Sequence, residues 1–246
     1  MKINIAAINM QSAVSATHGL IQWPLFMWKY WLPHSHKPLK KCGEMIKAES
    51  IGIALMSEVS EKSLRTGFRS QTEFLKEASG LPYAHFFSSQ KLAKFMAHEG
   101  NAMLSSYPLS SFASHLLPKE TMRMALEEAV MDMGGKKVTV FLAHMALTRH
   151  VRLKQLEVMK KNIKSRTGPI ILAGDFNEKD RSVFDGLRAE TRLKQLYTAK
   201  TFPAWKPRHS FDYILLSEEF KVHDFYAQKQ PPFSDHLAFI VKAELE

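Results

Sequence analysis

The sequence predicts an α/β layered fold, two β-sheets sandwiched face to face and flanked by helices, and three features carry that prediction. Short apolar runs of β character recur along the chain, segments of helical spacing fall between them, and the composition suits a packed core. Hydrophobic residues make up 45% of the 246 and charged residues 24%, outside the disordered range. Strands that each bury a face, with helices in the connections, are satisfied by stacked layers. No Gly-, Ser- or Pro-rich stretch could serve as a linker and no internal repeat is present. A single domain spanning 1–246 is therefore expected, a length that layered units commonly fill.

Taken in order, Ile3 to Asn9 is a short apolar run and reads as a strand. The segment GLIQWPLFMWKYWLPHSHKP follows, an insert at about 18–38 that holds Trp23, Trp28 and Trp31, three of the four tryptophans. From about Pro38 the spacing turns helical, with Leu39, Cys42, Met45 and Ile46 on one face. It leads into a buried-type strand, Ile51 to Met56. Helical spacing returns around Gln71 to Ser79, and Asn101 to Ser105 and Lys137 to Ala143 read as strands. Arg149 to Ile163 reads as an amphipathic helix whose apolar positions include Val151, Leu156 and Met159, with basic residues outside them. An apolar strand, Pro169 to Ala173, ends at Gly174; Tyr213 to Leu216 and Leu237 to Val241 complete the strands.

Charge and cysteine content narrow the function. The 34 Lys and Arg against 24 Asp and Glu give a formal net charge of +10, a field that attracts phosphate-bearing partners. That field fits nucleic acid, an anionic membrane or a phosphorylated metabolite equally, and many basic proteins are only soluble and basic. Cys42 is the sole cysteine, so intrachain disulfides and multi-cysteine zinc sites are excluded. The opening MKINIAAINM has no sustained apolar core and reads as a strand, not a signal peptide. No run approaches the roughly 20 apolar residues of a membrane span. A cytoplasmic location is expected, either free or peripheral at a membrane.

Three short motifs carry chemistry. Gly174-Asp175-Phe176-Asn177 closes the apolar strand, and strand alternation would aim Asp175 and Asn177 one way and Phe176 into the core. A carboxylate and an amide there can orient a water or bind an oxyanion or metal; a polar turn would also use these residues. Ser234-Asp235-His236 offers an adjacent carboxylate and imidazole, or a surface turn. Glu58, just past Ile51 to Met56, sits where a hard cation would find an oxygen donor, although an exposed glutamate at a strand exit is common.

Their order along the chain is more specific than any one of them. Asn9 ends the first strand and Glu58 a later one; GNAMLSSYP lies near the middle, and His144 ends VTVFLAH. GDFN, then TFP at Thr201 to Pro203, FDYILLS at Phe211 to Ser217 and the closing SDH follow. This series, from Ile3 to Val241, resembles the endonuclease/exonuclease/phosphatase superfamily, whose members share the DNase I-like fold. The resemblance implies a Mg²⁺-dependent hydrolase of phosphoester bonds, with Mn²⁺ able to substitute. It places Glu58, Asn9 and Asp235 at the metal and gives Asp175 the attacking water, with Asn177 beside it on the phosphate or nucleophile. His144 would contact a phosphate oxygen, His236 would act on the phosphoryl group, and Asp212 would orient the His236 imidazole.

The departures are Ser57 where the family often has Gln, Ala143 for Thr, Ser106 for Arg, and His209-Ser210-Phe211 before the Asp-Tyr pair. None removes a reacting group, and together they leave the subfamily open. The family's substrates include nucleic acids, nucleotides, phosphoinositides and sphingomyelin, and fold does not choose among them. The Trp-rich insert could enter lipid beside the site, stack on bases in a DNA or RNA nuclease, or simply pack on the core or a subunit partner. A phosphate-binding protein that has lost catalysis is the non-enzymatic alternative.

Overall fold

The computed structural model describes residues 1–15, 27–33, 35–92, 95–119, 124–229 and 232–246. Trp23 and most of the insert's first half lie outside the described residues. One six-stranded sheet comprises β1 (Lys2–Asn9), β2 (Ile53–Ser60), β3 (Tyr83–Leu92), β4 (Ala97–Ser105), β11 (Phe220–Ala227) and β12 (Phe239–Leu245), in the order β11-β12-β1-β2-β4-β3. The other comprises β5 (Leu109–Leu117), β6 (Met124–Met133), β7 (Lys136–His144), β8 (Ile170–Asp175), β9 (Leu193–Thr198) and β10 (Asp212–Ser217), in the order β5-β6-β7-β8-β10-β9. Within each sheet one central pair is parallel, β1 with β2 and β7 with β8.

Alternation along the central strands builds four layers. Ile3, Ile5 and Ala7 of β1 meet Ile171 and Ala173 of β8 in the core between the sheets. Ala6 and Ile8 face the other way, into a second core under α1 (Lys37–Ala48) and α2 (Gln71–Ser79). Leu39, Cys42, Met45 and Ile46 of α1 are buried there, so the helical face read from sequence is the packed one. On the far side, Ile170 and Leu172 of β8 pack under α3 (Arg149–Lys164) and α4 (Asp185–Glu190) through Leu156, Met159, Ile163 and Leu187. Each fully buried aliphatic side chain contributes roughly 1.5–3 kcal/mol, so the central strands, apolar on both faces, hold the layers in place.

Five strands escape the sequence reading: β3, β5, β6, β9 and β11. Four of them are sheet edges, where one flank meets water and the apolar pattern is diluted. β5, LSSFASHLL, alternates partly exposed and exposed residues along most of its length. β6, MALEEAVMDM, is rich in strong helix formers, yet lies between β5 and β7 and takes its backbone partners from both. Another difference concerns Glu58, which lies inside β2 instead of beyond it.

All the strand ends that matter meet at one rim. Asn9, His144 and Asp175 close β1, β7 and β8, and Asp212 opens β10 opposite Asp175. The loop before β12, which runs antiparallel to β1, brings Asp235 and His236 to the same end. Gly174 sets one of these junctions: its φ is +145°, and a Cβ would stand 1.9 Å from the Ala143 carbonyl oxygen. Gly174→Ala should therefore cost about 2–4 kcal/mol, combining overpacking with a strained backbone. Urea denaturation followed by circular dichroism measures it; a loss below about 0.5 kcal/mol, the size of an ordinary surface change, would mean that the strands can part there without penalty.

Candidate active site

The rim residues come together through backbone irregularities as much as through strand pairing. Between Met56 and Val59 the β2–β4 register slips by one residue, a bulge that leaves Glu58 unpaired at φ +54°. Strand alternation alone would not aim its carboxylate as it does, and the side chain stays one-third exposed. Gly100, opposite the bulge, has no room for a Cβ, which would lie 2.0 Å from the Phe87 carbonyl oxygen.

Asn9 joins the two sheets. Its Nδ2 donates to Glu58 Oε1 at 2.9 Å in one sheet and to Asp175 Oδ2 at 3.0 Å in the other. Its Oδ1 accepts from the Gln11 N–H at 2.9 Å, which fixes the amide orientation. The side chain therefore holds two carboxylates beside each other, with its oxygen already engaged by the backbone. His144 Nε2 stands 3.7 Å from Glu58 Oε1.

Behind them lies a buried relay. Asp212 Oδ2 is 2.9 Å from His236 Nδ1 and also accepts from the Thr201 hydroxyl. His236 Nε2 points toward Asp175 Oδ2 at 3.7 Å. Burial works against a charge on His236, but Asp212, Asp175 and Asp235 surround it and hold its pKa well above the ordinary histidine range. Burial raises Asp212 as well; two donors on one carboxylate oxygen nevertheless favour the anion, so the proton of the pair belongs to His236. Burial pushes Asp235 up to about 7, opposed by His236 and reinforced by the Glu58 charge.

Asn177 departs from the expected alternation. It lies past the end of β8 at φ +50°, and its Nδ2 donates to the Met145 carbonyl at 2.9 Å while its backbone N–H donates to Asp175 Oδ1. It still lines the cleft, whereas Phe176 turns into the α3–α4 core as expected. The cleft, of about 540 Å³, brings together Glu58, His144, Asp175, Asn177, Asp235 and His236.

Sequence reasoning missed two groups here. Thr201 is fully buried against Asp212; its place in TFP was visible, its hydroxyl's partner was not. Arg65, 2% exposed, pairs with Glu99 at 2.8 Å and forms a polar end wall of the cleft, and nothing in LRTGF signals that. Arg152, one of the basic residues of α3, is buried against Glu178 at 3.1 Å.

Two donor sets face a cation differently. Asp175, Asp212 and His236 could each offer one atom, all within 4.8 Å of one another. His236 and Asp212 are, however, already bonded to each other, and a protonated imidazole cannot ligate. Glu58 and Asp235 instead present oxygens that repel each other across the cleft, and a hard divalent cation relieves that repulsion. The oxygen set fits a hard divalent cation.

A sequence profile of the Endonuclease/Exonuclease/phosphatase family matches residues 32–236, most of the chain. The chain belongs to this family. The uncharacterized protein YbhP of Escherichia coli strain K12 is 27% identical over 128 residues, 48% of this chain and 51% of its own. The match thus spans about half the length of that curated relative. Among solved structures, a family member from Beutenbergia cavernae superposes with a TM-score of 0.74 at 17% identity, covering 99% of this chain and 72% of its own. The mannosyl-6-phosphatase Bt3783 of Bacteroides thetaiotaomicron superposes with a TM-score of 0.67 at 17% identity over 99% of each chain. These likenesses establish the DNase I-like sandwich, and family members are largely hydrolases of phosphoester bonds.

A histidine whose folded pKa is raised contributes stability that is complete below its unfolded value near 6.5 and fades as pH rises through the folded one. In EDTA, the melting temperature should accordingly fall from about pH 7 into the alkaline range, and His236→Gln should flatten that fall. Scanning fluorimetry across pH reads both; identical slopes would show that the imidazole carries no extra proton.

Proposed function

We propose that the protein hydrolyses a phosphodiester or phosphomonoester by in-line attack of water, with a divalent metal as cofactor. The observation that carries this reading is the single cleft in which Glu58, His144, Asp175 and His236 converge, with Asp212 behind the imidazole. Glu58 and Asp235 would hold the cation, and Asn9 would keep Glu58 beside Asp175. Bound there, Mg²⁺ or Mn²⁺ would neutralise phosphate charge and stabilise the leaving oxygen.

The chain's own groups then have separate tasks. Asp175, fixed by donors on both oxygens, orients a water and accepts its proton. His144 and Asn177, on the cleft wall, contact phosphate oxygens. His236, kept cationic by the surrounding carboxylates, offsets the negative charge that builds on the phosphoryl group. Asp212 positions that imidazole and selects which nitrogen faces the substrate. The phosphatase named among the structural neighbours supports the reaction class.

Glu58→Gln should lower turnover of bis-p-nitrophenyl phosphate at limiting Mg²⁺ by about 10²-fold or more, with the melting temperature preserved. Wild-type turnover should vanish in EDTA. Unaltered turnover of the variant at limiting metal would overturn the assignment of Glu58.

Asp212→Ala and His236→Ala should each reduce kcat by roughly 10²–10⁴-fold. Because the pair acts as a unit, the double variant should be scarcely slower than the worse single one. Losses that multiply in the double variant would show that the two residues act independently.

A further inference from the structure

Exposed apolar side chains that none of the packed layers uses stand on two segments that reach the cleft. Trp28, Trp31 and Leu32, on the segment between β1 and α1, are 48%, 49% and 50% exposed. Leu147, on the loop between β7 and α3, is 76% exposed. Trp31 and Leu147 both border the cleft that holds Glu58 and His236. β1 and β7 belong to different sheets, so the apolar residues form lips on two sides of one opening. Single exposed apolar residues are ordinary; a set grouped around a cleft marks a contact surface.

Three loops at this end, those after β8, β9 and β11, carry exposed basic residues. Residues 10–36 contain no acidic side chain, and 199–211 carry Lys200, Lys206 and Arg208 with none. Lys179 and Lys229 are exposed on the loops after β8 and β11. Glu178 and Asp180, the acidic residues on the loop after β8, are paired with Arg152 and Arg149.

We infer that this face docks on an anionic lipid bilayer and that the substrate is a phosphoester in a lipid headgroup. The indoles and leucines enter the boundary between headgroups and acyl chains, where Trp is favoured. The basic loops meet anionic headgroups, and the cleft between the lips is brought over the phosphates. Two of the four exposed residues are leucines, which have no π-face for a nucleobase. Attachment is peripheral: among the described residues no helix is long and apolar enough to cross a membrane. The substrate part rests on the hydrolase reading above; the docking part does not.

The test measures co-sedimentation with phosphatidylglycerol vesicles and with neutral phosphatidylcholine vesicles, alongside turnover of soluble bis-p-nitrophenyl phosphate. Wild-type protein should bind the anionic vesicles, release as salt rises, and hydrolyse phospholipid in them. Trp28→Ser with Leu32→Ser should weaken vesicle binding about tenfold and slow vesicle-borne hydrolysis, leaving soluble turnover unchanged. Quenching of wild-type tryptophan emission by brominated acyl chains checks insertion without any substitution. No binding to anionic vesicles, or no quenching, overturns the docking face even if soluble turnover is normal. Loss of single-stranded DNA affinity in the variant, with vesicles ignored by both proteins, overturns it in favour of a nucleic-acid surface. Variant-sensitive vesicle binding without turnover of any phosphoester supports the docking face and sinks the hydrolase reading alone.

Discussion

The site depends on one side chain that belongs to both sheets. Asn9 ends β1 and donates through a single nitrogen to Glu58 in its own sheet and Asp175 in the other. Two carboxylates that would otherwise repel are thereby held within reach of a common ligand. The arrangement requires the sandwich to close at a fixed spacing, and the interior core of Ile3, Ile5, Ala7, Ile171 and Ala173 supplies that spacing. Packing in the core is thus transmitted directly to the distance between reactive groups, because close-packed interiors accommodate little change.

Electrostatics at the rim follows from the same closure. Asp175, Asp212, Asp235 and His236 are all buried, and burying anions together is expensive unless cations accompany them. His236 is the one cation within that buried group, which is why its proton is held so firmly. The remaining excess of negative charge, carried by Glu58 and Asp235, is what a divalent ion would offset. Net charge of the opposite sign on the surrounding loops draws anionic partners toward a centre that is itself acidic.

Placement of the proposed reactive groups on strand ends would separate chemistry from recognition. Asn9, His144, Asp175 and Asp212 sit on rigid elements, where position is set by register and packing. The apolar and basic residues around the mouth sit on loops, which can change without disturbing the core. A family with one reaction class and many substrates is expected from such a division.

The central strands, the helices α1, α2 and α3 and the buried faces of α1 and α3 were legible in the sequence, because each rests on local pattern, and the residues that meet in the cleft were named from short motifs and their order. Strands apolar on both faces read as continuous runs, and Asn9, His144 and Asp175 stand at their ends. The edge strands and β6 were not legible, since solvent on one flank dilutes the first and partners on both sides override helix propensity in the second. The pairing of Asp212 with His236 was expected only through resemblance to a family. The tertiary structure decided what no local pattern encodes: the bulge that turns Glu58 into the cleft, the left-handed residue that takes Asn177 off the strand, and the burial of Arg65, Arg152 and Thr201. Each of these depends on a backbone irregularity or on a partner brought close only when two sheets stack, and a contact between distant segments leaves no periodic trace in either one.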